Sequence, residues 1–416
     1  MCNPPFHRID IMIVKGKATV VKHTGSHYML SQLPQWDLFP AVLRGKIRLK
    51  GSNATNPVAV GDVVHFEADV PDEAVMPRDA AMSAKDEVTR HEKGDDLGNA
   101  EVFKDTARGM ISVDGDRYVG LEYVTLESPV AITAVEPRRN YIIRKSTNLS
   151  RQSHIIASNL DRVFLVVTLD YPQVKLPFLD RLLVTCEVYN VPATIVLNKC
   201  DLYGPEHEDM RLAFHEIYEG AGYPVIEVSA HTGEGVDLLR EVVGGKILPD
   251  GTPNEKYDPS KPVVSLFSGV SGVGKSSLIK ALDPSLEPRV GDISDAHEQG
   301  RHTTTFYEMY RVRTSLSHTG SEESDTSEFT GSARGECGFI VDTPGLRGFG
   351  LVDLKKEEIA LYFPEMLRVS EDCRFAPCTH THEPGCAVKE AVENGDITYD
   401  RYSSYLGMLE EEGKYR

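Results

Sequence analysis

The chain of 416 residues carries a net charge of −18, and 40% of its residues are apolar, enough for two or three packed domains. No run approaches the roughly 18 to 20 apolar residues of a membrane helix, and the N-terminal residues lack the apolar stretch of a signal peptide, so a cytoplasmic protein with no membrane partner is expected. The charge balance argues against a polyanionic partner, yet two stretches hold cations and no acid: residues 41–61, with Arg44, Lys46, Arg48 and Lys50, and residues 137–160, with Arg138, Arg139, Arg144, Lys145 and Arg151.

Residues 12 to about 70 read as short strands separated by turns, a small all-β unit. In LRGKIRLKG the charged residues fall at even positions, between Leu43, Ile47 and Leu49. A strand of period 2 would bury one face and turn the cations outward, and a plain solvated face fits it as well. Residues 71–108 are highly charged and poor in aromatics, the composition of a mobile insertion. Strand-like text resumes in GMISVDGDRYVGLEYV and PVAITAVEPRRNYIIRKS, which offer the strands to complete a five-stranded barrel of the oligonucleotide-binding (OB) type.

From Asp161 onward, apolar runs (RVFLVVTLD, ATIVLNK, PVIEVSA, PVVSLFSG and GFIVDTPG) alternate with helix-like segments such as FLDRLLVTCEVYN, EDMRLAFHEIYEGAG and GVDLLREVVGG. That alternation predicts a parallel α/β sheet covered on both faces. A Pro-rich linker ends at Pro262, and a second low-complexity insertion, residues 315–336, splits a hairpin between Arg313 and Cys337.

GVSGVGKS, running Gly269-Val270-Ser271-Gly272-Val273-Gly274-Lys275-Ser276 with Ser277 next, stands between a strand run and a helix. In that context the spacing makes a phosphate loop: backbone N–H groups of Gly272 to Lys275 wrap a β-phosphate, Lys275 reaches the β- and γ-oxygens, and the Ser276 hydroxyl ligates magnesium. NKCD adds a base reader. The Asp201 carboxylate accepts guanine N1–H and the exocyclic amino group, Lys199 packs over the ring and Asn198 braces the loop. A site built on such hydrogen bonds rejects adenine by roughly 10⁴. About thirty residues on, Ser229-Ala230 stands where a guanine-supporting turn belongs. In VDTPG, Asp342 would hold magnesium through water and the Gly345 N–H would sense the γ-phosphate; between the phosphate loop and Asp342, the threonine run of GRHTTTF supplies Thr304 to close on the metal.

All five guanine-nucleotide elements are therefore present with the last two moved to the front. Such a permutation keeps the site intact, because loops at one sheet edge assemble it, and residues 251–262 read as the join. This order, preceded by RGKIRLKG, PVAVGD and SHIIASNLDRV and followed by CRFAPCTHTHEPGC, resembles the RsgA (YjeQ) family of circularly permuted GTPases over nearly the whole chain outside the two insertions. The resemblance implies an OB-fold RNA-binding domain at 1–150, a permuted P-loop GTPase domain at 151–351 and a mostly helical zinc-binding domain at 352–416. It also implies a GTP hydrolase that assists late maturation of the small ribosomal subunit, contacts its rRNA and is stimulated by it. A monomer is expected.

Cys373, Cys378, His380 and Cys386 have the family's C-x₄-C-x-H-x₅-C spacing, and three thiolates with one imidazole close a tetrahedral shell around one structural zinc ion; His382, two residues along, is a rival ligand. After Gly345 comes Leu346, where Ras-like enzymes carry the glutamine that orients the attacking water, so intrinsic hydrolysis should be slow. His302 is the nearest polar candidate for that task, and it serves equally as a plain surface histidine. The loop from Leu346 to Leu351 is expected to act as a lever between nucleotide and zinc unit.

Overall fold

The computed structural model describes residues 10–23, 27–45, 57–81, 109–145, 153–288, 307–314, 337–343 and 354–411. Strand β1 (Ile11–His23) is long enough to serve two neighbours. Its first half pairs with β4 (Val63–Pro71), from Ile11↔Pro71 to Thr19↔Val63, and after a bulge beyond Val20 its second half completes the pairing with β2 (Tyr28–Ser31). β2 continues to β3 (Phe39–Leu43), β3 to β8 (Val130–Val135) in parallel, and β8 back to β4, so five strands close in the cycle β1-β2-β3-β8-β4. Val14, Leu30, Phe39, Phe66 and Ile132 fill the interior.

One expectation is corrected here. The supposed mobile insertion begins as ordered backbone: β5 (Val75–Pro77) forms a separate sheet with β6 (Met110–Val113) and β7 (Arg117–Gly120), in the order β5-β7-β6, packed on the barrel through Ile111, Val113 and Val119. A three-residue strand is too short to show a period, and its partner lies some forty residues away in sequence. Residues 82–108 lie outside the described residues. Of the strand-like text after residue 109, only β8 joins the barrel; β9 (Tyr141–Lys145) pairs with β10 (Ser153–Ser158) across the expected boundary at 150. Alternation marks a strand and leaves its partner open.

The second unit is a parallel sheet. β11 (Arg162–Val167), β12 (Ala193–Leu197), β13 (Val225–Glu227), β14 (Val263–Ser268) and β16 (Cys337–Asp342) run the same way in the order β13-β12-β11-β14-β16, and β15 (Glu308–Arg313) lies antiparallel beyond β16. Their apolar runs are buried on both faces: Val163, Leu165 and Val167 enter one core and Phe164 and Val166 the other. Helices α1 (Leu176–Val188), α2 (Glu208–Ala221), α3 (Val236–Gly244) and α4 (Lys275–Leu282) cover it. At β15 the sheet meets the barrel through the single register pair Lys22↔Glu308, making one eleven-stranded sheet, while Trp36 packs on Phe339 with ring centroids 5.4 Å apart. A buried carboxylate also joins the units. Asp62 takes both Nε and Nη2 of Arg138 at 2.6 Å, the Ser158 hydroxyl at 2.5 Å and the Ala59 N–H at 2.9 Å.

The C-terminal unit is helical: a 3₁₀ turn at Lys356–Tyr362, then α5 (Pro364–Ser370), α6 (Ala387–Asn394) and α7 (Tyr399–Glu411). Its core of Phe363, Met366, Val388 and Tyr405 includes Val184 of α1. Arg401 of α7 is fully buried; it reaches Asp180 of α1 at 2.7 Å and Glu365 of α5 at 2.7 and 3.2 Å, under the Phe363 ring at 4.6 Å. Arg368 also donates to the carbonyls of Gly220 and Ala221. The expected lever, residues 346–351, lies outside the described residues, but these contacts fasten α5 and α7 directly to α1 and α2. No described helix is long and apolar enough to cross a membrane. Arg401→Met should cost about 3–5 kcal/mol, because Asp180 and Glu365 would stay buried without their cation; the urea midpoint, followed in the far ultraviolet, measures it.

Candidate nucleotide-binding site and metal centre

Because β11, β12, β13, β14 and β16 are parallel, the loops after them meet at one edge, the place where open α/β sheets bind ligands. Residues 269–274 carry the chain from β14 into α4. A Cβ at Gly269 would stand 2.2 Å from the Val166 carbonyl oxygen, and one at Gly274, where φ is +91°, would stand 2.5 Å from Asn198 Nδ2, so glycine is required at both. Lys275 is buried and folds its ammonium back on the carbonyls of Gly269 at 2.7 Å and Val270 at 3.1 Å. Burial pushes its pKa down, and the Asp342 charge opposes that shift. Asp342, at the end of β16, is displaced the other way: burial raises its pKa and Lys275 pulls it back. Its Oδ1 is buried and has no hydrogen-bond partner among the described residues, which suits a carboxylate facing a hydrated cation. The next residue, Thr343, fixes the strand end by donating to the Phe267 carbonyl at 2.8 Å.

The residues expected to read the base come from the loops after β12 and β13. Asn198 is 1% exposed; its Nδ2 donates to the Val273 carbonyl at 2.8 Å and its Oδ1 accepts the Ala230 N–H at 3.1 Å, so one amide ties the phosphate loop to both base loops. Lys199, at φ +67°, donates to the carbonyls of Gly272 at 2.8 Å and Tyr171 at 2.6 Å. Ser229 donates to Asp201 Oδ1 at 2.5 Å and accepts the N–H groups of His231 and Thr232, which leaves the exposed Asp201 carboxylate oriented with acceptor capacity to spare.

The structure thus gathers Asn198, Lys199, Asp201, Ser229, Ala230, the 269–277 segment and Asp342 at one sheet edge, with Ser276 half-buried and Ser277 exposed. His302, Thr304, Gly345 and Leu346 lie outside the described residues. Sequence reasoning missed Tyr203, whose hydroxyl donates to the Asn198 carbonyl at 2.7 Å and accepts the Leu169 N–H at 2.9 Å; burial pushes its pKa up to about 12. No motif flags it, and only its place just past NKCD offers a hint.

Three of the cations in the acid-free stretches are paired with acids. Arg44 is paired with Glu67, Arg138 with buried Asp62, and Arg139 with Asp161 at 2.6 Å. Counting charges along one stretch overlooks acids that the fold delivers from elsewhere. Lys46, Arg48, Lys50 and Arg151 lie outside the described residues.

Cys373, Cys378, His380 and Cys386 place their donor atoms within 4.8 Å of one another. His380 Nδ1 lies 3.4 Å from Cys386 Sγ and 3.6 Å from Cys373 Sγ, close to the roughly 3.5 Å edges of a tetrahedron with metal bonds near 2.0–2.3 Å. This set of four donors can hold a metal ion. Burial pushes the His380 pKa down, which favours the neutral, ligating imidazole. The rival His382 is exposed and turned to the Thr381 hydroxyl, outside the cluster. Around the donors, Glu383 accepts the N–H groups of Thr379, Thr381 and His382, while Tyr402 and Tyr405 of α7 donate to the carbonyls of His380 at 2.6 Å and Thr379 at 2.7 Å.

Comparison with known proteins agrees with this geometry. The family model of the RsgA GTPase matches residues 135–249 and 258–352. The chain belongs to the RsgA GTPase family. It is a GTP-hydrolysing enzyme. It is 38% identical over 402 residues to the small ribosomal subunit biogenesis GTPase RsgA 2 of Bacteroides thetaiotaomicron, covering 96% of this chain and 99% of that one. It is 36% identical over 399 residues to the corresponding RsgA protein of Flavobacterium johnsoniae, covering 96% and 94%. Among solved structures it is similar to YjeQ from Thermotoga maritima, with a TM-score of 0.60 and 25% identity over 97% of this chain and all of that one. The circularly permuted GTPase YloQ shares the fold, with a TM-score of 0.55 and 22% identity over 100% of this chain and 99% of that one.

If the donor set is the one the geometry groups, His380→Ala should lose bound metal while His382→Ala keeps it. Atomic emission on the purified variants counts the metal directly, against one ion per parent chain.

Proposed function

We propose that the chain binds GTP at the sheet edge described above, hydrolyses it to GDP and phosphate, and uses that cycle on the small ribosomal subunit late in its maturation. The observation that carries this reading is the Asn198 amide, which unites phosphate loop and base loops in one site with Lys275 and Asp342 beside it. The names of the relatives add the subunit.

Residue by residue, Asp201 accepts the guanine N1–H and amino group, held in place by Ser229, with Ala230 completing the turn. Lys199 spans Gly272 and Tyr171 beneath the ring. The loop Gly269, Val270, Ser271, Gly272, Val273 and Gly274 wraps the phosphates at the N-terminus of α4, where the helix dipole favours negative charge, and Lys275 leaves its loop carbonyls to meet them. Ser276 and Asp342 would hold magnesium, which when bound neutralises charge developing on the phosphoryl oxygens; the unpartnered Asp342 Oδ1 supports that role. We assign Thr304 and Gly345 to the γ-phosphate from the motif order alone, and Ser277 to the loop's far side.

The metal of the Cys₃His set is zinc in this reading. Four protein donors complete its shell and leave no open position, so its role is structural. The closed β1-β2-β3-β8-β4 barrel is of the OB type and meets rRNA, and the chain works as a cytoplasmic monomer of three domains.

Two measurements test the proposal. Asp201→Asn should shift preference from GTP toward xanthosine triphosphate, since an amide donates to the 2-oxo group where the carboxylate only accepts; equal GTP affinity in variant and parent would refute the guanine assignment. Phosphate release should be slow for the protein alone and rise at least tenfold with purified small subunits, and Lys275→Ala should abolish the rise. An unchanged rate with subunits would leave a nucleotide-binding protein with another partner.

A further inference from the structure

The barrel reaches the nucleotide sheet through charge. Lys22 lies opposite Glu308 in the β1–β15 register, with its Nζ 2.5 Å from Glu308 Oε1. Glu308 in turn lies opposite Asp342 in the β15–β16 register. Side chains directly opposite in an antiparallel pair leave the same face with Cβ atoms roughly 4.5–5.5 Å apart, where like charges repel. Burial raises the Asp342 pKa most; Lys275 pulls it down, and the Glu308 charge adds a smaller push upward. Four charged residues thus form a row, Lys22, Glu308, Asp342 and Lys275, running from the barrel to the phosphate loop, with two adjacent carboxylates between two ammonium groups. Neither Lys22 nor Glu308 belongs to a nucleotide motif.

Glu308 is only about a quarter exposed, so its charge is weakly screened by water. With Lys22 in place the pair is neutral. Without Lys22 the Glu308 carboxylate remains, uncompensated, on the sheet face shared with Asp342, and its field falls on the polyanionic phosphates. We propose that Lys22 is a positioning residue for nucleotide binding: by neutralising Glu308 it lets Asp342 and Lys275 meet the phosphates with no second, unpaired carboxylate beside them. The proposal rests on reading Lys275 and Asp342 as the phosphate and magnesium residues.

The test is equilibrium binding of fluorescent GDP and of a fluorescent, non-hydrolysable GTP analogue to the full chain in magnesium buffer. Lys22→Met should weaken the analogue about three- to tenfold and GDP less, because the γ-phosphate lies nearest Asp342. Glu308→Gln should bind the analogue as tightly as the parent or tighter, and the double variant should return to within about twofold of it. A plain strut between barrel and sheet predicts the opposite: both single substitutions break the ion pair, so both would weaken binding alike and the double would stay weak. Unchanged binding in Lys22→Met, or weakened binding in Glu308→Gln, overturns the proposal; the second result is decisive even if Lys22→Met does not fold. Lys275→Ala separates the two levels. Undiminished analogue binding there overturns the site reading and the charge row with it, whereas loss there combined with strut-like behaviour of the pair overturns the charge row alone.

Discussion

Asn198 holds together loops that the chain makes 75 residues apart. β12 and β14 are not neighbours, since β11 runs between them, so the loops after them stand about two strand spacings apart, roughly 10 Å. A single buried amide crosses much of that gap, donating to one loop and accepting from another. Both of its ends must be satisfied, because an amide stripped of water and left half-paired costs about 1–3 kcal/mol. The geometry of the base and phosphate loops is therefore set jointly. Lys199 reinforces the same union from the solvent side, and Tyr203 holds the Asn198 carbonyl from below.

Charge does similar work where the units meet. Asp62 stands in the barrel and is satisfied by Arg138 and Ser158 from the chain that leads into the sheet. Arg401 stands in the C-terminal helix and reaches Asp180 in α1. Buried pairs of this kind contribute little net stability, since desolvation offsets most of the attraction, but they penalise every arrangement that separates the partners. Their effect is on relative position. The three parts of the chain are held in register by residues that belong to none of the nucleotide motifs.

Most residues that the fold gathers at the sheet edge were legible in the sequence, because they stand on loops whose glycine and amide positions are tightly constrained. Gly269 and Gly274 are legible since nothing larger fits there, and NKCD is legible since its residues tie neighbouring loops together. Strand partnership was harder. β8 and β9 look alike as text, yet one closes the barrel and the other pairs with β10, a choice made by long-range packing. The short β5 left no periodic trace. Arg138 and Arg139 looked like part of a nucleic-acid face because their carboxylate partners sit outside the stretch that contains them. Tyr203 and Arg401 belong to no pattern at all; each is defined by what folding brings against it.

The two ends of the nucleotide sheet are finished differently. At one side lies β13, three residues long and introduced by Pro224, with Glu227 engaged by His215 and Arg211. At the other, β15 runs up against β1 of the barrel at Glu308. An open parallel sheet of apolar strands is a template on which another extended chain can add itself, and short, proline-led, charge-decorated or covered margins remove that opportunity. The barrel thus acts as a guard against unwanted strand addition, and a truncated chain beginning at β9 would carry its most apolar sheet with one flank uncovered, prone to self-association during synthesis and refolding.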